Sequence, residues 1–131
     1  MLIEIDFSSD EALYQQLCNQ IILGIATSRI VDGDVLPSVR QMADEIGINM
    51  HTVNKAYTIL RQEGFVKVDR RRGAFVSVDG RNKEHALQLV EKDLRVLLAQ
   101  ARCRGLDKAD VTALVNKIYD EYENGFGEDI Q

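Results

Sequence analysis

A helix pair joined by a glycine turn, two alternating segments that reverse at three arginines, and a carboxy-terminal stretch of helical periodicity without strands predict a mostly helical α+β chain. The pattern changes near Gly80, which divides the 131 residues into a mixed domain over 1–79 and a helical extension over 80–131. A chain of this length buries roughly two-thirds of its unfolded surface, so disulfide or metal staples are not required.

In chain order, Leu2 to Phe7 alternates apolar and acidic residues and suggests an extended lead-in or edge strand. Ser8 with Glu11 has capping-box spacing. Leu13, Leu17, Ile21 and Ile25, flanked by Tyr14, Cys18 and Ile22, then mark an amphipathic scaffold helix to about Ser28. Asp32, Gly33 and Asp34 form a turn cluster, and Val35-Leu36 suits a brief strand that pairs later in the domain.

The stretch from Leu36 to Gly64 reads as two short helices. Pro37-Ser38 with Gln41 predicts a capping box, and Val39, Met42, Ala43 and Ile46 lay down one hidden stripe. Gly47 suits the left-handed conformation that ends a helix, and Asn49 is a good cap for the next. The second helix turns Val53, Ala56, Tyr57 and Leu60 inward. That leaves His51, Lys55, Thr58 and Gln62 opposite, with Thr52 and Asn54 nearer the border. This outer face has no carboxylate, and its side chains suit base edges and phosphates. An ordinary solvated helix carries a similar face, so the neighbouring residues must decide.

They do so through the next two segments. Phe65 to Asp69 alternates as a strand, Arg70 to Gly73 reverses the chain, and Ala74 to Val78 returns. A hairpin behind such a helix pair is the plan of a winged helix-turn-helix. Arg70, Arg71 and Arg72 beside Gly73 make a cationic tip suited to phosphates or the minor groove.

Beyond Gly80, Leu87, Val90, Leu94, Leu97 and Ala101 fit a heptad-like seam, with Leu89, Val96 and Leu98 adding apolar width. Gly105 breaks this helix and Asp107 caps another that carries Val111, Leu114, Val115, Ile118, Tyr119 and Tyr122. Two helices cannot enclose a core alone. Their surplus apolar faces either fold back on the amino-terminal domain or meet a second copy, and the homodimer is favoured because a winged helix has its own core. The glycine-bearing acidic tail from Asn124 to Gln131 is expected to be mobile.

Net charge is −5, yet residues 38–72 sum to +3 and the remainder to −8. Phosphate attraction depends on the local field, so this asymmetry points to a polyanion at one face. Cys18 and Cys103 lack paired spacing and read as reduced cytoplasmic thiols. His51 and His85 have no clustered partners for zinc or nucleophilic catalysis, and no glycine-rich phosphate loop appears. The start lacks a signal peptide's cationic head, and no segment is long enough to span a membrane. The expectation is therefore a cytoplasmic non-enzyme without metal or cofactor. No residue pattern points to a small-molecule effector. The competing class is a winged-helix module that binds protein through the same exposed helix.

Residues 12–17 (ALYQQL), 33–40 (GDVLPSVR), 52–57 (TVNKAY) and 72–76 (RGAFV) resemble the successive signatures of the GntR family of bacterial transcription regulators, over about residues 5 to 79. The resemblance implies a winged helix-turn-helix that meets double-stranded operator DNA through Ser38, Arg40, Asn49, Met50, His51, Thr52, Lys55, Arg72 and Gly73. The reading of the residues themselves adds Asn54, Thr58, Arg70 and Arg71. Met50 stands where many members carry Arg, Arg71 where many have Gly, and Ala74 where many have Thr. Met50 cannot make a bidentate guanine contact, so operator sequence does not transfer from such relatives. The short helical extension is similar to the YtrA subfamily, which implies a dimeric repressor of the kind commonly tied to transporter operons. Two chains joined through residues 81–123 would present their recognition helices to successive major grooves of an inverted repeat.

Overall fold

The computed structural model describes residues 3–78, 80 and 82–124, and the chain divides after Val78 into two compact units. In order, the elements are α1 (Leu13–Ala26), α2 (Val39–Ile46), α3 (Met50–Gln62), β1 (Val66–Asp69), β2 (Gly73–Val76), α4 (Lys83–Cys103) and α5 (Lys108–Glu123). The chain is thus mostly helical α+β. The expected mobility of the tail beyond Asn124 lies outside the described residues.

The segment before α1 is not a strand: it is irregular over residues 3–6 and turns at 7–8. Gln20 and Gln16 reach out of α1 to bond it: Gln20 Oε1 accepts from the Glu4 amide at 2.9 Å, and Gln16 Oε1 from the Asp6 amide at 2.9 Å. The Ser8–Glu11 capping box does not form. Ser8 donates its hydroxyl to Asp6 instead, α1 begins only at Leu13, and its cap residue, Ala12, has no side chain to offer. The helix start has no side-chain cap; Gln16 instead ties the preceding segment to α1, donating to the Asp6 and Glu11 carbonyls at 3.0 Å each. Its amide is thereby satisfied although the residue is buried. At the other end α1 stops at Ala26, slightly short of the expected boundary, and the chain turns tightly back. The Arg29 and Ile30 amides both donate to the Gly24 carbonyl, and a Cβ on Gly24 would stand 2.6 Å from Ile30 Cδ1.

Both helix-pair caps form as the spacing requires. Ser38 Oγ accepts from the Gln41 amide at 3.1 Å, and Gln41 Oε1 accepts from the Ser38 amide at 3.0 Å. Gly47 closes α2 at φ 73°, where a side chain would be strained. Asn49 Oδ1 accepts from the His51 amide at 2.7 Å and opens α3.

The core of this unit lies where α1, α2, α3 and the hairpin meet. Leu17 and Ile21 of α1, Met42 of α2, Val53 and Leu60 of α3, and Val66 and Val76 of the strands are fully enclosed. Each large aliphatic among them contributes about 1.5–3 kcal/mol by burial. The Tyr57 hydroxyl donates to the Pro37 carbonyl at 2.7 Å, pinning α3 to the start of α2. β1 and β2 pair antiparallel, with Val66 opposite Val76 and Asp69 opposite Gly73. The brief strand expected at Val35-Leu36 is present as a bridge from Val35 to Phe75, flanked by Gly33 N to Val76 O and Leu36 N to Ala74 O bonds.

In the second unit, Asn82 caps α4, and Asp107 with Asp110 forms a capping box for α5. Gly105 supplies the positive φ between them. Neither helix buries a residue. Leu87 at 60%, Val96 at 62% and Tyr119 at 63% exposure show how much apolar surface remains in water. No helix among the described residues is long and apolar enough to cross a membrane.

Candidate nucleic-acid interface

The leading turn of α3 follows directly from the Asn49 cap, which puts Met50, His51 and Asn54 on the outside and leaves Thr52 half-buried. Asn49 itself is committed through its Oδ1 to the His51 amide, so its remaining polar group is the side-chain NH2. Thr58 donates its hydroxyl to the Asn54 carbonyl at 2.8 Å and keeps only acceptor capacity and a methyl for a partner. Lys55 is exposed, but its ammonium lies 3.9 Å from the Tyr14 ring centroid, a cation–π contact that leans the charge toward α1. On the opposite flank, Asn54, Thr58 and Arg61 share a groove with Ser38, Val68 and Ala74, so the hairpin runs along that side of α3. Arg61 was not singled out from sequence as a contact residue. Its position three residues after Thr58 and seven after Asn54 was the available signal.

Arg40 is exposed on the first turn of α2, next to the cap residue Ser38, and makes no ion pair among the described residues. The Tyr57 phenol behind it is pushed far up by burial, with Glu45 adding to the shift, so it remains a neutral donor to Pro37.

Three adjacent arginines in the sequence prove unequal in the structure. Asp69 Oδ1 accepts from the Arg71 amide at 3.0 Å and the Arg72 amide at 2.6 Å. Its Oδ2 meets the Arg72 guanidinium at 2.9 Å, and that guanidinium lies 3.6 Å from the Phe75 ring centroid. The Arg72 amide is the leading cause of an Asp69 carboxyl held below its usual range. Arg72 therefore braces the tip, while Arg70 and Arg71 stay exposed and unpaired among the described residues. Gly73 takes φ 72° where the loop rejoins β2, the left-handed position that closes a three-residue hairpin loop.

These side chains form a cationic, carboxylate-free helix face with an arginine tip beside it. They hold no nucleophile–base pair, and no cluster of three or more metal-ligating side chains exists among the described residues. The residues expected to join two chains sit on α4 and α5. Leu87, Val90, Leu94, Leu97, Leu98, Leu114, Val115 and Tyr119 are exposed, while Ala101, Val111, Ile118 and Tyr122 are half-buried. Leu106, between the two helices and outside the expected interface set, is also exposed and lines an apolar groove with Leu94, Leu98, Val111 and Val115.

Residues 11–76 match the family described as "Bacterial regulatory proteins, gntR family". The chain is 29% identical over 126 residues to the HTH-type transcriptional repressor YtrA of Bacillus subtilis, covering 95% of this chain and 97% of that one. Among solved structures, YtrA of Sulfolobus acidocaldarius, a GntR-family transcription factor, superposes with a TM-score of 0.66 at 37% identity, covering 79% of this chain and 99% of that one. A transcriptional antiterminator from Listeria monocytogenes superposes with a TM-score of 0.79 over 93% of this chain and 92% of that one, and at 20% identity shares the fold alone.

Proposed function

The chain belongs to the GntR family of bacterial regulatory proteins and is a DNA-binding transcription regulator rather than an enzyme, and we propose that it acts in the cytoplasm as a homodimeric repressor on an inverted-repeat operator. The observation that carries this reading is the carboxylate-free outer face of α3 together with exposed Arg40 on α2 and Arg70 and Arg71 at the hairpin tip, none of the three tied up by an acid among the described residues. In this reading α3 enters the major groove and His51, Thr52 and Asn54 meet base edges. Ser38, Arg40, Lys55, Arg70 and Arg71 hold phosphates, with Arg72 bracing the wing tip.

Residues 1–79 form the DNA-reading half and residues 80–131 the joining half. The apolar residues of α4 and α5 are the support for the second role, because leaving so many in water costs about 25 cal/mol per Å2 that a second copy would recover. Two joined copies present two copies of α3, and such a pair reads half-sites related by twofold symmetry, roughly 34–36 Å apart or a multiple of that. Repression follows where the bound dimer covers promoter DNA, as the name of the B. subtilis relative suggests.

Fluorescence anisotropy against fragments from the region upstream of its own gene tests this reading. Saturable binding that weakens steeply as salt rises is the expected result, and replacing Arg40 by Ala should weaken it on every fragment. Retention of full affinity by Arg40→Ala would overturn the docking orientation, whereas capture of a protein partner with no DNA bound would favour the interaction-module alternative. Sedimentation at micromolar concentration should give a dimer.

A further inference from the structure

Met50 opens α3 at 44% exposure and belongs to neither the core nor the cap. It shares a shallow hollow with Val39 from α2 and with Asn49, His51 and Asn54. One wall of that hollow is apolar and the rest is polar. On an outer helix face that is otherwise polar, this partly exposed thioether offers a ligand one apolar point of contact.

We infer that Met50, with Val39 behind it, reads the C5-methyl of a thymine and so requires a T·A pair at one position of each half-site. The inference rests on the proposal that α3 docks on DNA, and it deepens that proposal. Thymine is the base that offers an apolar group in the major groove. A guanine or cytosine edge pressed on Met50 and Val39 would lose its water and leave acceptors or an amino donor unpaired, which disfavours it. Methionine's unbranched side chain adapts to the methyl without demanding one register. Asn54, on the rim of the same hollow, has the amide that bonds adenine N6 and N7, so the polar part of the hollow suits an A·T-containing step as well.

The effect is readable because uracil differs from thymine by that methyl alone. Burial of one methyl is worth about a fourfold change in affinity, so a symmetric site losing it in both halves should weaken about sixteenfold. The experiment begins with selection of the full chain on a randomised duplex pool, followed by synthesis of the enriched site with each thymine replaced in turn by uracil. One thymine per half-site should show the loss in the native chain, none should show it in Met50→Ala, and Met50→Leu should restore it. 5-Methylcytosine at that position should recover part of what cytosine loses, which separates the methyl from the rest of the base edge.

Enriched sites that tolerate uracil everywhere, or an unchanged thymine-to-uracil ratio in Met50→Ala, would overturn the inference while leaving the operator reading intact. A pool in which nothing is enriched would overturn the operator reading and this inference with it. Met50 is exposed and outside the core, so thermal unfolding of both variants should match the native chain and keep folding out of the result.

Discussion

The wing provides the sharpest quantitative expectation, because three neighbouring arginines that look equivalent along the chain are held in two different states. Arg72 is 2.9 Å from the Asp69 carboxylate and stacked on Phe75, whereas Arg70 and Arg71 reach solvent without an acid. Each cation that displaces a counterion from duplex DNA contributes about 0.9 to the slope of log affinity against log salt. The double substitution Arg70→Ala/Arg71→Ala should therefore flatten that slope by about 1.8 per chain and about 3.6 for a dimer that uses both wings. Arg72→Ala should weaken binding at every salt concentration with little change in slope, since it removes the brace of the tip rather than a phosphate contact. Anisotropy titrations between 50 and 200 mM salt, values of the kind for which such slopes are resolved, would measure both. If Arg72→Ala alone flattened the slope as far as the double substitution does, the division between bracing and binding would be wrong.

Other expectations follow from the packing. Leu60 is fully buried in α3, so Leu60→Ala should cost about 2–5 kcal/mol in denaturant unfolding, and a loss under 1 kcal/mol would contradict the core assignment. Gly24→Ala gains about 1 kcal/mol of helix propensity but drives a Cβ into Ile30, an overpacking cost of about 1–3 kcal/mol, so the net change should be destabilising and Ile30→Val should relieve it. Additive effects of those two substitutions would refute the contact. Asp69 has its folded pKa lowered, so its stabilisation of the tip is complete above the unfolded value of about 3.8 and is lost as pH falls through the lower folded value. The Arg71 and Arg72 amide resonances should titrate with a midpoint under that value, and a midpoint at or above it would place the carboxylate elsewhere.

Features set by a few adjacent residues were legible in the sequence. Ser38 and Gln41, Gly47 and Asn49, and the Asp107 cap all depend on spacing within one turn, and the hairpin depends on alternation interrupted by a glycine. Where a side chain from farther along intervened, local spacing misled. Ser8 and Glu11 have the spacing of a cap, but Asp6 takes the Ser8 hydroxyl and Gln16 reaches back to the carbonyls. Periodicity put Lys55 on the outer face correctly, yet the Tyr14 ring that receives it belongs to another helix and has no signature in α3. The brace at Arg72 needed the register that brings Asp69 opposite Gly73, which composition alone does not convey. The apolar excess of the extension could be seen from the chain, because more leucines and valines lie along α4 than one helix stripe accommodates.

Hydroxyl-radical footprinting of the full chain on its selected duplex tests the central claim most directly. Two protected windows related by twofold symmetry, with centres about 10–10.5 base pairs or a multiple of that apart, are what a pair of α3 helices with arginine wings predicts. A single protected window with no symmetric partner, or uniform protection regardless of sequence, would contradict it.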